Sequence, residues 1–215
     1  MKGKYFILGA LMILAALVAS VLFYPHLGLT VPTHWNVHGQ PDAYGSRWAV
    51  LIPMPAVMTG IVLLMAALPW LSPKKYEVNG GKPGYLQIML VMLVFFLYLH
   101  VVMLSADAGR HFDVSKVVLG GVCALIAGLG SLLARLPRNF YVGVRTPWTL
   151  ADERVWGRTH RFAARCFVVV GLLGVIFVFV GAPVWATIVA LCAGTLAPVI
   201  HSLVCYKQLE HRGAV

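Results

Sequence analysis

Apolar residues in this chain come in long unbroken runs, without the rhythm of three to four that marks a half-buried helix or the alternation of a half-buried strand. The runs are Tyr5–Tyr24, Val50–Leu71, Tyr85–Ser105, Val117–Ala134, Phe162–Val180 and Val184–Val204. Each is close to the roughly 20 residues a helix needs to cross about 30 Å of hydrocarbon. Hydrocarbon leaves backbone amides and carbonyls no water to bond, so a spanning segment must be a helix or part of a closed barrel. The alternation of barrel strands is absent. The pattern therefore predicts an all-α polytopic membrane helix bundle with about six transmembrane helices. The first run follows Lys2 and Lys4 and contains Val18-Ala19-Ser20, which weakly resembles a signal-peptide cleavage site. Its apolar core exceeds the roughly 7–15 residues of a secretory signal and further spans follow, so it reads as a retained anchor.

Composition agrees with this pattern. The chain has 215 residues, 60% hydrophobic and 11% charged, with a mean hydropathy of +0.84. Charge then sets the expected orientation. With the N-terminus inside, the inner segments carry Lys2, Lys4, Lys74, Lys75, Lys82, Arg135, Arg138, Arg145, Arg154, Arg158, Arg161, Arg165, Lys207 and Arg212. Only Arg47, Arg110 and Lys116 remain outside. Lysine and arginine concentrate on the cytoplasmic side of membrane proteins, so both termini are expected there. The net charge of +10 is explained by basic loops beside an anionic leaflet and implies no direct nucleic-acid partner.

The expected organisation is an N-terminal two-span unit, residues 1–71, with an ordered extracytoplasmic loop, followed by a four-span unit, residues 72–215, with a cytoplasmic loop at 135–161. Small residues at four-residue spacing, Gly120, Ala124 and Gly128 and then Ala186, Ala190 and Gly194, offer smooth faces for helix contact. Pro198 lies inside the sixth run and removes a helical hydrogen bond to Gly194. His100 and His201 sit near span ends, where a histidine either serves function or reaches the headgroups. Cys123, Cys166, Cys192 and Cys205 have no CxxC spacing and no pair in an outer loop, so neither a disulfide nor a cysteine metal site is expected.

Two polar stretches interrupt the apolar pattern. The outer loop, Tyr24–Trp48, is punctuated by Pro32, Gly39, Pro41 and Gly45 and carries interfacial aromatics at Trp35, Tyr44 and Trp48, so it is expected to be ordered through turns. His34, His38 and Asp42 are spaced by four. On an unbroken helix they would share a face suited to zinc, but Gly39 and Pro41 oppose that helix and no glutamate follows the first histidine. The other reading has His34, Asn36 and Asp42 satisfying the backbone of a tight loop. No metal or cofactor is assigned. The second stretch is Arg138–His160. Pro147 disfavours helix at Thr146, and Thr149 is expected to cap a helix beginning near Leu150, with Asp152 and Glu153 in its first turn. If that helix continues into the fifth span, Arg154, Arg158, Arg161 and Arg165 line one face. Such a stripe either anchors the span or meets phosphates or an acidic partner.

Anchoring alone does not require the order Asn139, Gly143, Arg145-Thr146-Pro147-Trp148-Thr149, Trp156, Thr159-His160. This order resembles the C-terminal signature of the SdpI family of bacterial membrane proteins. Pro32, His34-Trp35-Asn36, Gly39, Asp42 and Tyr44-Gly45-Ser46 resemble the N-terminal domain of unknown function that often precedes it, with Arg47 where a lysine is expected. Together the two similarities cover most of the chain. The resemblance implies a non-enzymatic immunity protein in the bacterial cytoplasmic membrane. The founding type protects its cell from a secreted killing peptide and holds a small DNA-binding repressor at the membrane.

The expected partners are membrane lipids, an extracytoplasmic peptide toxin bound by the outer loops, and a cytosolic repressor met by Arg145, Arg158 and Trp156. The alternative is a small transporter or membrane metalloenzyme. Against it, the assigned spans contain no Asp or Glu, and the sequence has neither a glutamate-bearing zinc motif nor a nucleophile elbow.

Overall fold

A computed structural model of the chain describes residues 2–36, 38–73 and 84–213. Lys74, Lys75 and Lys82 of the charge argument lie outside the described residues. Among the described residues, eight α-helices and two strands follow in the order α1 (Gly3–Phe23), β1 (Thr30–Trp35), β2 (Pro41–Ser46), α2 (Trp48–Leu51), α3 (Pro53–Leu71), α4 (Gly84–Asp107), α5 (Val114–Leu133), α6 (Pro147–Ala151), α7 (Glu153–Phe179) and α8 (Val184–Glu210), with one 3-10 turn, Tyr24–His26, after α1. Among the described residues six segments are long and apolar enough to cross a membrane, as the apolar runs predict. Many of their large apolar side chains point outward, Val21, Leu63, Ile176 and Ile200 among them. In lipid such faces carry no penalty, and helices associate through close packing and buried polar contacts.

The chain divides into two compact units, one of residues 1–64 and 89–122, the other of residues 65–88 and 123–215. In the first, the Tyr24–Trp48 loop is more regular than its prolines and glycines suggest. β1 and β2 form an antiparallel hairpin pairing Thr30 with Ser46, Val31 with Gly45 and Pro32 with Tyr44, and the ladder becomes irregular around His34. In a two-stranded ribbon both strands are edges, so Pro32 can sit where its missing amide interrupts nothing. Val31 is buried with Leu27, Val50, Leu51 and Leu104, which ties the hairpin to the ends of its neighbouring helices. At the hairpin tip, Asn36 Oδ1 accepts from the amides of His38, at 2.9 Å, and Gln40, at 3.1 Å. Gly39 takes φ +74°, a left-handed conformation that favours glycine. Ser115 Oγ donates to the Asn36 carbonyl at 2.7 Å, docking the tip on the start of α5.

The same unit buries a polar cluster. His100 is fully buried, with Nε2 2.9 Å from Ser20 Oγ and 3.2 Å from the Ala16 carbonyl. Ser20 donates onward to the Leu51 carbonyl at 3.1 Å, so the imidazole Nε2–H is the donor to serine. The contacts of His100 are thus internal to the bundle, and it does not reach toward headgroups.

In the second unit, α5 and α7 approach until their backbones nearly touch. A Cβ added at Gly171 would lie 2.6 Å from both the Ala127 nitrogen and the Cys123 carbonyl oxygen. The seam runs along Cys123, Ala127 and Gly130 on α5, beside the Gly120, Ala124 and Gly128 stripe singled out from spacing. On α8, Gly194 of the second stripe is buried against the Val170 side chain, as helix packing requires.

Candidate functional site

The residues between α5 and α7 fold into a module fastened by side chains. Asn139 is buried. Its Oδ1 accepts from the amides of Tyr141 and Val142 at 2.8 and 2.7 Å, and its Nδ2 donates to the carbonyls of Pro137 and Val142 at 2.8 and 3.1 Å. One amide thereby closes a whole turn that has no secondary structure of its own. Tyr141 Oη donates to the Leu71 carbonyl at 2.6 Å, and Arg138 Nη1 donates to the carbonyls of Leu150 and Ala151 at 3.2 Å each. Arg138 therefore satisfies the C-terminal carbonyls of α6.

Helix entry differs from the expectation of a single cap at Thr149. Thr146 is extended, and the short helix α6 begins at Pro147 with Thr146 and Thr149 in a reciprocal capping box. Thr149 occupies its third position. The residue before a proline is pushed out of helical space, and proline suits the first helical position, so the break falls at Thr146. Asp152 is extended in turn and caps α7 by accepting from the amides of Arg154 and Val155. From there α7 runs without interruption into the fifth span, as anticipated. Thr146 Oγ1 also lies 3.0 Å from Ser202 Oγ. Ser202 also donates to the Val199 carbonyl, and the hydroxyl–hydroxyl contact ties the N-cap of α6 to α8.

Trp156 and His160, one helical turn apart on α7, form the interior of the module. Their rings stack with centroids 3.9 Å apart. Trp156 Nε1 donates to the Leu136 carbonyl at 2.9 Å. His160 Nε2 accepts the Val144 amide at 3.1 Å, and Nδ1 faces the Trp156 carbonyl at 2.9 Å. With Nε2 accepting, the proton sits on Nδ1, which fixes a neutral tautomer. Gly143 passes over these rings with φ +120°. A Cβ there would collide with His160 Nε2 and lie 3.3 Å from Trp156.

The two faces of α7 separate cleanly. Val155, Trp156, Thr159, His160 and Ala163 are buried, whereas Arg154, Arg158, Arg161 and Arg165 are exposed, as the spacing predicts. Thr159 is fully buried, and its hydroxyl has no hydrogen-bond partner among the described residues. Of the candidate residues in this segment, Asn139, Thr146, Thr149, Trp156, Thr159 and His160 are interior. Trp148 is half-buried, and Arg145 and Arg158 face outward. Arg145 Nη1 donates to the Phe140 carbonyl at 2.5 Å. Ser202 and Arg138 belong to the same network but stand out in no sequence motif; proximity in the fold identifies them.

The Arg154 guanidinium holds the Asp152 carboxyl at about 2, with help from the backbone amides it accepts. A carboxylate depressed in the folded state stabilises it fully above its unfolded value and loses that contribution as pH falls through the folded one. Asp152→Ala is expected to cost about 1 kcal/mol, the usual worth of a helix cap. In wild type the carboxylate's contribution should fade between about pH 4 and pH 2. Thermal melts of Asp152→Ala and wild type across that range check both points, and the gap between them should close at the acid end.

The hairpin presents a separate surface in the first unit. His34 Nδ1 and Asp42 Oδ1 are 2.5 Å apart across the strands, with side chains 67% and 45% exposed. His38 lies in the turn, which Asn36 and Gly39 shape. Among the described residues no group of three or more histidine, cysteine, aspartate or glutamate side chains is arranged to hold a metal ion. A cleft of about 340 Å³ adjoins the pair, lined by Thr33, His34 and Trp35 of β1, Met103 of α4 and Val114 and Ser115 of α5, among others.

Fold and module together define a polytopic helical membrane protein with a structured polar insert between two of its spans. Residues 135–202 match the SdpI/YfhL protein family, and residues 11–59 match the Domain of unknown function (DUF1648). The chain is 26% identical over 205 residues, 95% of each chain, to "Immunity protein SdpI" of Bacillus subtilis (strain 168). No solved structure matches it. The chain is a multi-pass protein of the bacterial cytoplasmic membrane, and the two stretches similar to these family models are those whose residue order carried the resemblance.

Proposed function

We propose that this chain is a membrane immunity protein that protects its cell from a secreted antimicrobial peptide. The hairpin would face outward to receive the peptide, and the Asn139–His160 module would face the cytoplasm. The observation that carries this reading is the similarity to an immunity protein along nearly the whole length of both chains. The geometry supports a division of roles. His34 and Asp42 are exposed and available to a ligand, whereas Asn36 and Gly39 hold the tip in shape. In the module, the buried Trp156 and His160 act as positioning residues, and Arg145 and Arg158 remain for contact.

Exposed ion pairs contribute about 0–1 kcal/mol to stability, so His34→Ala and Asp42→Ala should leave abundance unchanged while reducing protection. The test is survival of peptide-challenged cells expressing wild type or variants at matched membrane levels. Equal killing of cells with and without the wild-type protein would sink the proposal. Full protection by both variants would remove the hairpin's role.

The arginine face of α7 favours a second activity, capture of an acidic patch on a cytosolic repressor. Co-purification of such a partner, lost in Arg158→Glu with insertion intact, would support it.

A further inference from the structure

A groove of about 590 Å³ runs between α1 and α3 in the first unit. We propose that it binds one acyl chain of an anionic phospholipid, with Arg47 holding the phosphate. Its walls are apolar and turned outward, with Leu17, Val21 and Ile52 exposed and Pro55 and Ala56 lining the opposite side. The hydroxyls that reach it make no demand on an occupant. Ser20 donates to the Leu51 carbonyl and Thr59 to the Pro55 carbonyl. A hydrocarbon chain therefore leaves no polar atom stranded.

One end of the groove is polar. Tyr24 and Trp48 line it with their rings 5.8 Å apart, the pairing suited to a membrane–water interface. The Arg47 guanidinium lies 4.7 Å over the Tyr24 ring. Among the described residues no carboxylate forms an ion pair with it. An arginine stacked on an aromatic at headgroup level, with its charge unneutralised, suits a phosphate oxygen. From Ile13 to Tyr24 the groove follows α1 for about 16 Å. Arg47 at one end and apolar walls along the rest match a molecule with one anionic end and one hydrocarbon tail.

The test places a photocrosslinking benzoylphenylalanine at Val21 of the full chain and, as a control, at Leu172, an exposed position on α7. The protein is irradiated in phosphatidylglycerol or phosphatidylcholine vesicles and in native membranes, and adduct masses are read by mass spectrometry. Expected are lipid-mass adducts in clear excess at Val21 over Leu172, more with phosphatidylglycerol than with phosphatidylcholine. Arg47→Gln should reduce the phosphatidylglycerol adduct about tenfold, as loss of one charge-assisted contact would, and the phosphatidylcholine adduct by less, because choline already partly neutralises its phosphate. Ala56→Trp, which fills the groove, should reduce both. Equal labelling at the two positions, or indifference to headgroup and to Arg47→Gln, overturns the proposal. Adducts of peptide mass or of twice the chain mass at Val21 also overturn it, in favour of a toxin or a second copy.

Discussion

Alanine at Gly143 is expected to unfold the module between α5 and α7. The positive φ costs a residue with a Cβ roughly 1–2 kcal/mol, and forcing an extra carbon into packed space costs roughly 1–3 kcal/mol more. The neighbours cannot retreat cheaply. His160 is held at both ring nitrogens, and Trp156 by its indole and by the stack. The combined loss of about 2–5 kcal/mol is a large share of the roughly 5–15 kcal/mol that keeps a domain folded. The protein carries its own reporter, since Cys205 is buried with Val155 and Leu209. With the more accessible Cys166 and Cys192 replaced by serine, a thiol-reactive dye should label Gly143→Ala at markedly lower temperature than the same background with Gly143 intact, with Val142→Ala as the control. An unchanged labelling curve would show that the loop relaxes without strain.

Valine at Gly171 should separate α5 from α7. The atoms that its Cβ would meet at 2.6 Å are the Ala127 nitrogen and the Cys123 carbonyl oxygen. Both belong to backbone, so no rotamer change relieves the overlap and a helix must shift. Overpacking of this kind costs about 1–3 kcal/mol, with the γ-methyls of valine adding to it. In lipid, where association depends on close contact, the seam should open. Gly157 is the built-in contrast. A Cβ there meets nothing nearer than the end of the Arg161 side chain at 3.6 Å, and alanine improves helix propensity by up to about 1 kcal/mol. Gly157→Ala should therefore equal or exceed wild type in detergent-unfolding midpoint, while Gly171→Val falls well below it. Equal midpoints for the two variants would contradict the close approach.

The six spans were legible because the bilayer imposes length and apolarity together, and few sequences meet both by accident. The arginine face of α7 was legible for a similar reason, since spacing alone decides which residues share a helix side. The hairpin was not: Pro32 and Gly45 read as punctuation, and both are acceptable in a ribbon made only of edges. The cap was misplaced from Thr149 to the pair Thr146 and Asp152. Two hydroxyls and a carboxylate within seven residues all have capping chemistry, and only the extended backbone at Thr146 and Asp152 selects among them. The signature residues were recognised by their order, but their common cause was hidden. Leu136, Gly143 and Val144 meet Trp156 and His160 only after the chain has folded back.

The unbroken course of α7 has a mechanical consequence. Its 27 residues make a rod about 40 Å long at 1.5 Å per residue, stiff enough that its ends cannot be displaced independently. A partner pulling on the arginine side near Asp152 would transmit tilt or rotation directly toward Phe179. The rod could deliver a message from one end of its span to the other by moving as one body, with no need for a relay of side chains.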